Sequence, residues 1–206
     1  ANANGVKELA IAALLMAARD IIGGVKFTET LTEDVAKSVE RGKSAFAGCE
    51  LKGKTLGVIG LGAIGGMVAN AAAALGMKVI GYDPYITIEG AWRLSHHISK
   101  AASYEEIFKS CDFITLHVPA TPETKNMIRR DTLAMMRDGV RIINLSRADL
   151  VCAADVKDAI AQGKVTRYVT DFPTEETINR HGIVTTPHLG ASTAESEDNC
   201  AVMAAH

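Results

Sequence analysis

The feature that most constrains this chain is Gly60-Leu61-Gly62-Ala63-Ile64-Gly65, set between the apolar run Thr55–Ile59 and an Ala-rich stretch over 63–75. A chain with 18 glycines can produce this spacing by chance, so its context decides. A strand that runs into the first glycine and a helix that opens beyond the second is the setting the spacing requires. Gly60 permits a tight turn, Gly62 lets a pyrophosphate approach the backbone, and Gly65 lets the helix pack closely on the strand. The helix N-terminus offers free N–H groups and a positive dipole end to the phosphates.

The rest of the sequence repeats the strand–helix alternation. Short β-branched runs fall at 55–59, 78–82, 97–99 (weakly), 113–118, 140–145, 165–170 and 183–185. Helical stretches lie at 63–75, 104–109, 131–137 and 153–162, with a last one from about Ser192. Ser103…Glu106 and Ser192…Glu195 have capping-box spacing, which marks two helix starts independently of hydrophobicity. This order implies right-handed βαβ units and a doubly wound α/β (Rossmann) domain with a parallel sheet of about seven strands. Ahead of it, residues 6–22 contain no Pro and no Gly and are rich in Ala, Leu and Met, predicting one long apolar helix. Its apolar residues wrap most of the way round, as on a helix covered from two sides. A second helix is expected after Thr32-Glu33-Asp34, ending near Gly42.

Composition narrows the partners. With 22 basic and 24 acidic residues the formal net charge is −2, which gives no general attraction to nucleic acid or to an anionic membrane. The apolar run from Leu9 to Ala18 is too short to span a bilayer and lacks a secretory pattern. Cys49, Cys111, Cys152 and Cys200 are far apart, without zinc-site spacing, and are read as reduced thiols of a cytoplasmic protein with no metal.

Asp83 closes the second strand, eighteen residues after Gly65. A carboxylate there can accept both adenosine ribose hydroxyls and repels a 2′-phosphate, so NAD is favoured over NADP. Ligands of such sheets bind beyond the carboxyl ends of the strands. Beyond the later strands come His117-Val118-Pro119, Leu145-Ser146-Arg147, Asp171 with Glu175 and Glu176, and His188 with Gly190. An Arg can hold a substrate carboxylate, a His can carry the proton that accompanies hydride transfer, and a neighbouring acid raises the His pKa. Each residue singly could be structural; their convergence on one sheet edge points to oxidoreduction of a small 2-hydroxy or 2-oxo acid. His96, His97, His181 and His206 lack such a setting and are read as surface residues.

"GLGAIG…GYDPY", "FITLHVPATPET", "INLSRADLV" and "TPHLGAST", in this order, resemble the D-isomer-specific 2-hydroxyacid dehydrogenases, nearest the branch that oxidises 3-phosphoglycerate for serine synthesis. The resemblance covers essentially the whole chain. It implies that Arg147 binds the substrate carboxylate and carbonyl and that His188 is the proton donor and acceptor. The acid partner is Glu175, with Glu176 the alternative because the stretch after the sixth strand is one residue short of the family pattern. It further implies NAD contacts at Gly60, Gly62, Ala63, Ile64, Gly65, Asp83, His117, Val118, Pro119, Leu145, Ser146, Asp171 and Gly190. Ala148 stands where the family usually has Gly. On this reading residues 1–206 are one NAD-binding domain, the substrate-binding and any regulatory domain lie outside the chain, and the first helix forms a homodimer. Competing readings are a dehydrogenase for glycerate or lactate, a corepressor-like module that recruits partners, and an NAD-sensing module without turnover.

Overall fold

The computed structural model describes residues 2–196. Seven strands form one sheet: β1 Thr55–Ile59, β2 Lys78–Tyr82, β3 Ile98–Lys100, β4 Phe113–Leu116, β5 Val140–Asn144, β6 Val165–Thr170 and β7 Ile183–Thr185. Every pairing is parallel, and the order is β3-β2-β1-β4-β5-β6-β7. The order reverses between β1 and β4, opening the crevice in which doubly wound sheets bind ligands.

Eight helices accompany the strands in the described residues: α1 Ala3–Ala18, α2 Ile21–Glu29, α3 Val35–Gly42, α4 Ala63–Ala74, α5 Ile88–Trp92, α6 Tyr104–Ser110, α7 Arg130–Met135 and α8 Ala153–Ala161. Parallel strands buried on both faces need a helical layer on each side. On one face, Ala10, Ala13, Leu14 and Ala17 of α1 and Val68, Ala69 and Ala72 of α4 pack on Leu56, Val58, Phe113, Ile143 and Val169. On the other, Ile107, Phe108, Leu133, Val156 and Ala159 from α6, α7 and α8, with Met136 just past α7, cover Ile59, Ile114, Leu116 and Ile142. Alanines let α1 and α4 lie close to the sheet and to each other.

Three expectations about the helices need correction. The single helix over 6–22 is two helices: α1 stops at Ala18, Arg19 is extended, and Asp20 accepts the Gly23 N–H at 3.1 Å as N-cap of α2. An Asp cap inside an apolar run outweighed continuous helix propensity. At the far end Thr193, not Ser192, caps the helical turn that begins at residue 194, its hydroxyl accepting the Ser196 N–H at 3.1 Å. The rest of that expected helix, with Cys200 and His206, lies outside the described residues. The Ser103 cap forms as expected, but Glu106 reaches back to the Ala102 N–H instead of closing the box on Ser103. The short α5 carries no signal in the sequence reading. Cys49, Cys111 and Cys152 are free thiols, and no helix in the described residues is long and apolar enough to cross a membrane.

Candidate active site

The glycine turn sits at the switch point. Gly60 has φ +87°, and a Cβ there would lie 2.4 Å from the His117 carbonyl oxygen, so β1 and β4 can close together only over a glycine. A Cβ on Gly65 would lie 1.9 Å from the Gly60 carbonyl oxygen, which fixes how closely α4 approaches the strand. Gly62 differs: nothing lies within 4 Å of its missing Cβ. It leads into α4 from an extended conformation with no side-chain cap, so the first N–H groups of the helix are left without an intrahelical partner. Ala63 is exposed and Ile64 half-buried at that helix start.

Asp83 holds this turn from β2. Its Oδ2 accepts the Leu61 N–H and its Oδ1 the Tyr85 N–H, both at 2.9 Å, which orients the carboxylate while leaving lone pairs on each oxygen. It borders a cavity of about 800 Å³ whose apolar walls include Leu61, Pro84, Ile86, Leu94 and Ile98. That is the size and polarity a nucleoside needs.

The carboxyl ends of β4 and β5 are tied together. The Ser146 hydroxyl donates to the Val118 carbonyl at 2.8 Å. Buried Asn144 accepts the Ser146 N–H at 3.2 Å and donates to the Arg147 carbonyl at 2.9 Å. Asn144 thus shapes the loop that presents Arg147, yet nothing in a strand-terminal Asn announces this in the sequence. Val118 and Leu145 are buried and Pro119 is exposed. The His117 Nε2 lies 2.9 Å from the Thr115 hydroxyl, and burial of the ring lowers its pKa to about 4, so it stays neutral at physiological pH. Arg147 is exposed, with Nη1 donating to the Ser146 carbonyl at 2.6 Å and no ion pair among the described residues.

Beyond β6 and β7 stand Asp171 and His188. Asp171 is 1% exposed, and neither carboxylate oxygen has a hydrogen-bond partner among the described residues. Burial raises its pKa; the nearby His188 ring and the N–H groups of Gly190 and Asp171 oppose that rise without completing a hydrogen bond. The exposed His188 ring packs on Phe172, with centroids 5.0 Å apart. A Cβ on Gly190 would stand 3.5 Å from the Asp171 Oδ2, and a Cβ on Gly5 3.3 Å from the Gly190 carbonyl. The first turn of α1 therefore backs the His188 loop. Glu175 is exposed and has no hydrogen-bond or ion-pair partner among the described residues, while Glu176 is bound to Lys157 of α8. The carboxylate whose charge reaches the His188 ring is Asp171.

A family model described as the NAD-binding domain of D-isomer specific 2-hydroxyacid dehydrogenases matches residues 11–190. The chain belongs to this family. It is 37% identical to D-3-phosphoglycerate dehydrogenase of Methanocaldococcus jannaschii over 96% of this chain and 37% of that protein. It is 39% identical to the Mycobacterium tuberculosis enzyme of the same name over 96% of this chain and 36% of that protein. The chain thus spans just over a third of the length of these relatives. Among solved structures, D-mandelate dehydrogenase of Rhodotorula graminis aligns with TM-score 0.84 and 25% identity over 95% of this chain and 58% of that one. A D-lactate dehydrogenase from Aquifex aeolicus, solved with NAD and lactic acid, aligns with TM-score 0.77 and 26% identity over 98% of this chain and 66% of that one.

The residues fit the NAD of this dehydrogenase family on two structural counts. Open space over Gly62 admits a pyrophosphate, and Asp171 presents two buried acceptors that a carboxamide N–H₂ would satisfy. Among the described residues no group of three His, Cys, Asp or Glu side chains is placed to hold a metal ion.

Asp171 also carries a stability signature. Its folded pKa lies above the unfolded value, so between the two the folded state binds the extra proton. This group's contribution therefore favours folding most at acid pH and is lost as pH rises through the folded pKa. Asp171→Asn is expected to remove that decline and to stabilise the ligand-free domain near neutrality by about 1–3 kcal/mol, while weakening NADH binding. Urea unfolding of both proteins across pH checks it; an unchanged difference between them at every pH would clear Asp171 of the effect.

Proposed function

We propose that this chain supplies the cofactor half of an NAD-dependent D-2-hydroxyacid dehydrogenase, nearest in specificity to one that oxidises 3-phosphoglycerate to 3-phosphohydroxypyruvate. The observation that carries the reading is the unpartnered Asp171 carboxylate beside the His188 ring, at the carboxyl end of a sheet whose switch point bears the glycine turn. NAD, when bound, takes up or returns the hydride. Gly62, Ala63 and Ile64 present backbone to the pyrophosphate, with Gly60 and Gly65 setting the turn, and Asp83 accepts from the ribose. His117, Val118, Pro119, Leu145, Ser146 and Gly190 line the nicotinamide end, and Asp171 accepts from the carboxamide. Arg147, free of any ion pair in its exposed position, binds the substrate carboxylate and polarises the adjoining carbonyl.

His188 Nε2 or Nδ1 takes the hydroxyl proton during oxidation and returns it during reduction. Glu175 is the acid free to turn toward His188, since Glu176 is occupied by Lys157. A second wall, contributed by a substrate-binding domain outside residues 1–206, completes the site, so this chain alone binds NADH with little turnover. Calorimetric titration should show one NADH per chain; absence of binding would overturn the assignment. A screen of 2-hydroxy acids on the whole protein separates phosphoglycerate from glycerate and lactate.

The same reading includes a homodimer. Of the stretch 6–22 expected to form it, α1 packs into this domain's own core. Helices α2 and α3 bury no residue, and Ile21, Val25 and Val35 are 47%, 48% and 52% exposed. An apolar surface of that kind is suited to a second copy. Sedimentation equilibrium should give twice the chain mass; a monomer at working concentrations would remove the dimer from the proposal.

A further inference from the structure

A groove of about 480 Å³ runs between α2 and β7, walled by Asp20, Lys26, Arg167, Arg180, His181 and the β7 backbone. It is separate from the glycine turn and from the His188 edge. Three permanent cations face a single carboxylate in it. Arg167 is the key member: its side chain is 14% exposed, and its one ionic partner, Asp20, lies 3.6 Å away. Its buried Nε has no acceptor. Asp20 is already engaged as the cap of α2, so it cannot turn fully to the guanidinium. The sheet worsens the imbalance, because the β5–β6 register places Arg141 directly opposite Arg167. Like charges so placed repel. Arg141 is held by the Ala17 carbonyl and the Phe113 ring and brings no anion with it. Among the described residues neither Lys26 nor Arg180 has a side-chain hydrogen bond or ion pair, and Glu176, on which the Arg180 charge acts, is already bound by Lys157.

We propose that this groove is a binding site for a phosphate group, free or as the terminus of a small phosphate ester. The Arg167 guanidinium edge that lines the groove can donate to a phosphate while its Nε stays buried, and flanking Lys26 and Arg180 supply the remaining charge. The site carries two net positive charges, which a phosphate dianion neutralises and a single carboxylate does not. Occupancy would bridge α2 to β7, the strand that leads into Thr186-Pro187-His188.

The test is calorimetric titration with inorganic phosphate at constant ionic strength, with saturating NADH present so that the glycine turn is filled. The wild-type chain should bind one phosphate saturably. Lys26→Gln/Arg180→Gln alters only exposed side chains and should weaken that binding about tenfold or more, since it removes two charge-assisted contacts. Glycerol phosphate should compete and acetate should not. Absence of saturable binding, or unchanged affinity in the double variant, overturns the site; equal competition by acetate overturns the assignment to phosphate.

Discussion

Gly65→Val is expected to abolish NADH binding and to destabilise the domain by several kcal/mol. A Cβ at this position meets the Gly60 carbonyl oxygen at 1.9 Å and the His117 Cβ at 3.2 Å. The first is backbone of the very turn that receives the pyrophosphate, so relief requires α4 to move off β1. Overpacking of this kind costs about 1–3 kcal/mol and more where nothing can yield, and two further methyl groups add to it. The neighbouring glycine supplies the control. At Gly66 a Cβ would find nothing nearer than the Leu94 side chain at 3.5 Å, an ordinary contact within α4. Gly66→Ala should therefore leave the fold intact and stabilise it by up to about 1 kcal/mol through helix propensity. Thermal melts and NADH titrations on both variants check the pair. Equal tolerance of the two would mean that α4 is not clamped to the strand.

His188→Ala, made in the whole protein, is expected to lower turnover by about 10²–10⁴, the usual worth of a positioned proton carrier. NADH affinity should be nearly unchanged, because the ring is exposed and packs on Phe172 without bracing the cofactor turn. Arg147→Ala should differ in kind, raising KM for the 2-hydroxy acid and lowering kcat together, as loss of both binding and carbonyl polarisation requires. Steady-state kinetics at saturating cofactor separate the two patterns. Turnover of His188→Ala within a factor of a few of wild type would assign the proton step to another group.

Most of the sheet was legible because its strands are short β-branched runs bounded by polar or glycine-rich breaks. β1, β2, β6 and β7 fall at the residues read from sequence, and β3 lies one residue further along. β4 and β5 end earlier, at Leu116 and Asn144, since Val118 and Leu145 are apolar enough to prolong the pattern past the strand ends. The glycine turn and Asp83 could be read because each is a local device with a fixed spacing. What resisted reading was long-range. The break at Arg19-Asp20 is joined to Arg167 across the fold, and no window around residue 20 contains that partner. The choice between Thr193 and Ser192 as cap was likewise open locally, both being hydroxyl residues with a plausible third neighbour. Asn144 and the unpaired state of Asp171 depend on which loops meet above the sheet, which periodicity does not encode.

The contact between Gly5 and Gly190 has a kinetic consequence. These residues are separated by nearly the whole chain, and loops of that span close late, especially in parallel sheets, where little local structure rewards early pairing. The wall behind Asp171 and His188 would then be among the last parts to assemble and among the first to open in the native state. Amide exchange around Gly190 should be faster than in β1 or β4, and bound NADH should slow it more than elsewhere. The cofactor would in that case act as the final staple of the fold as well as the reagent.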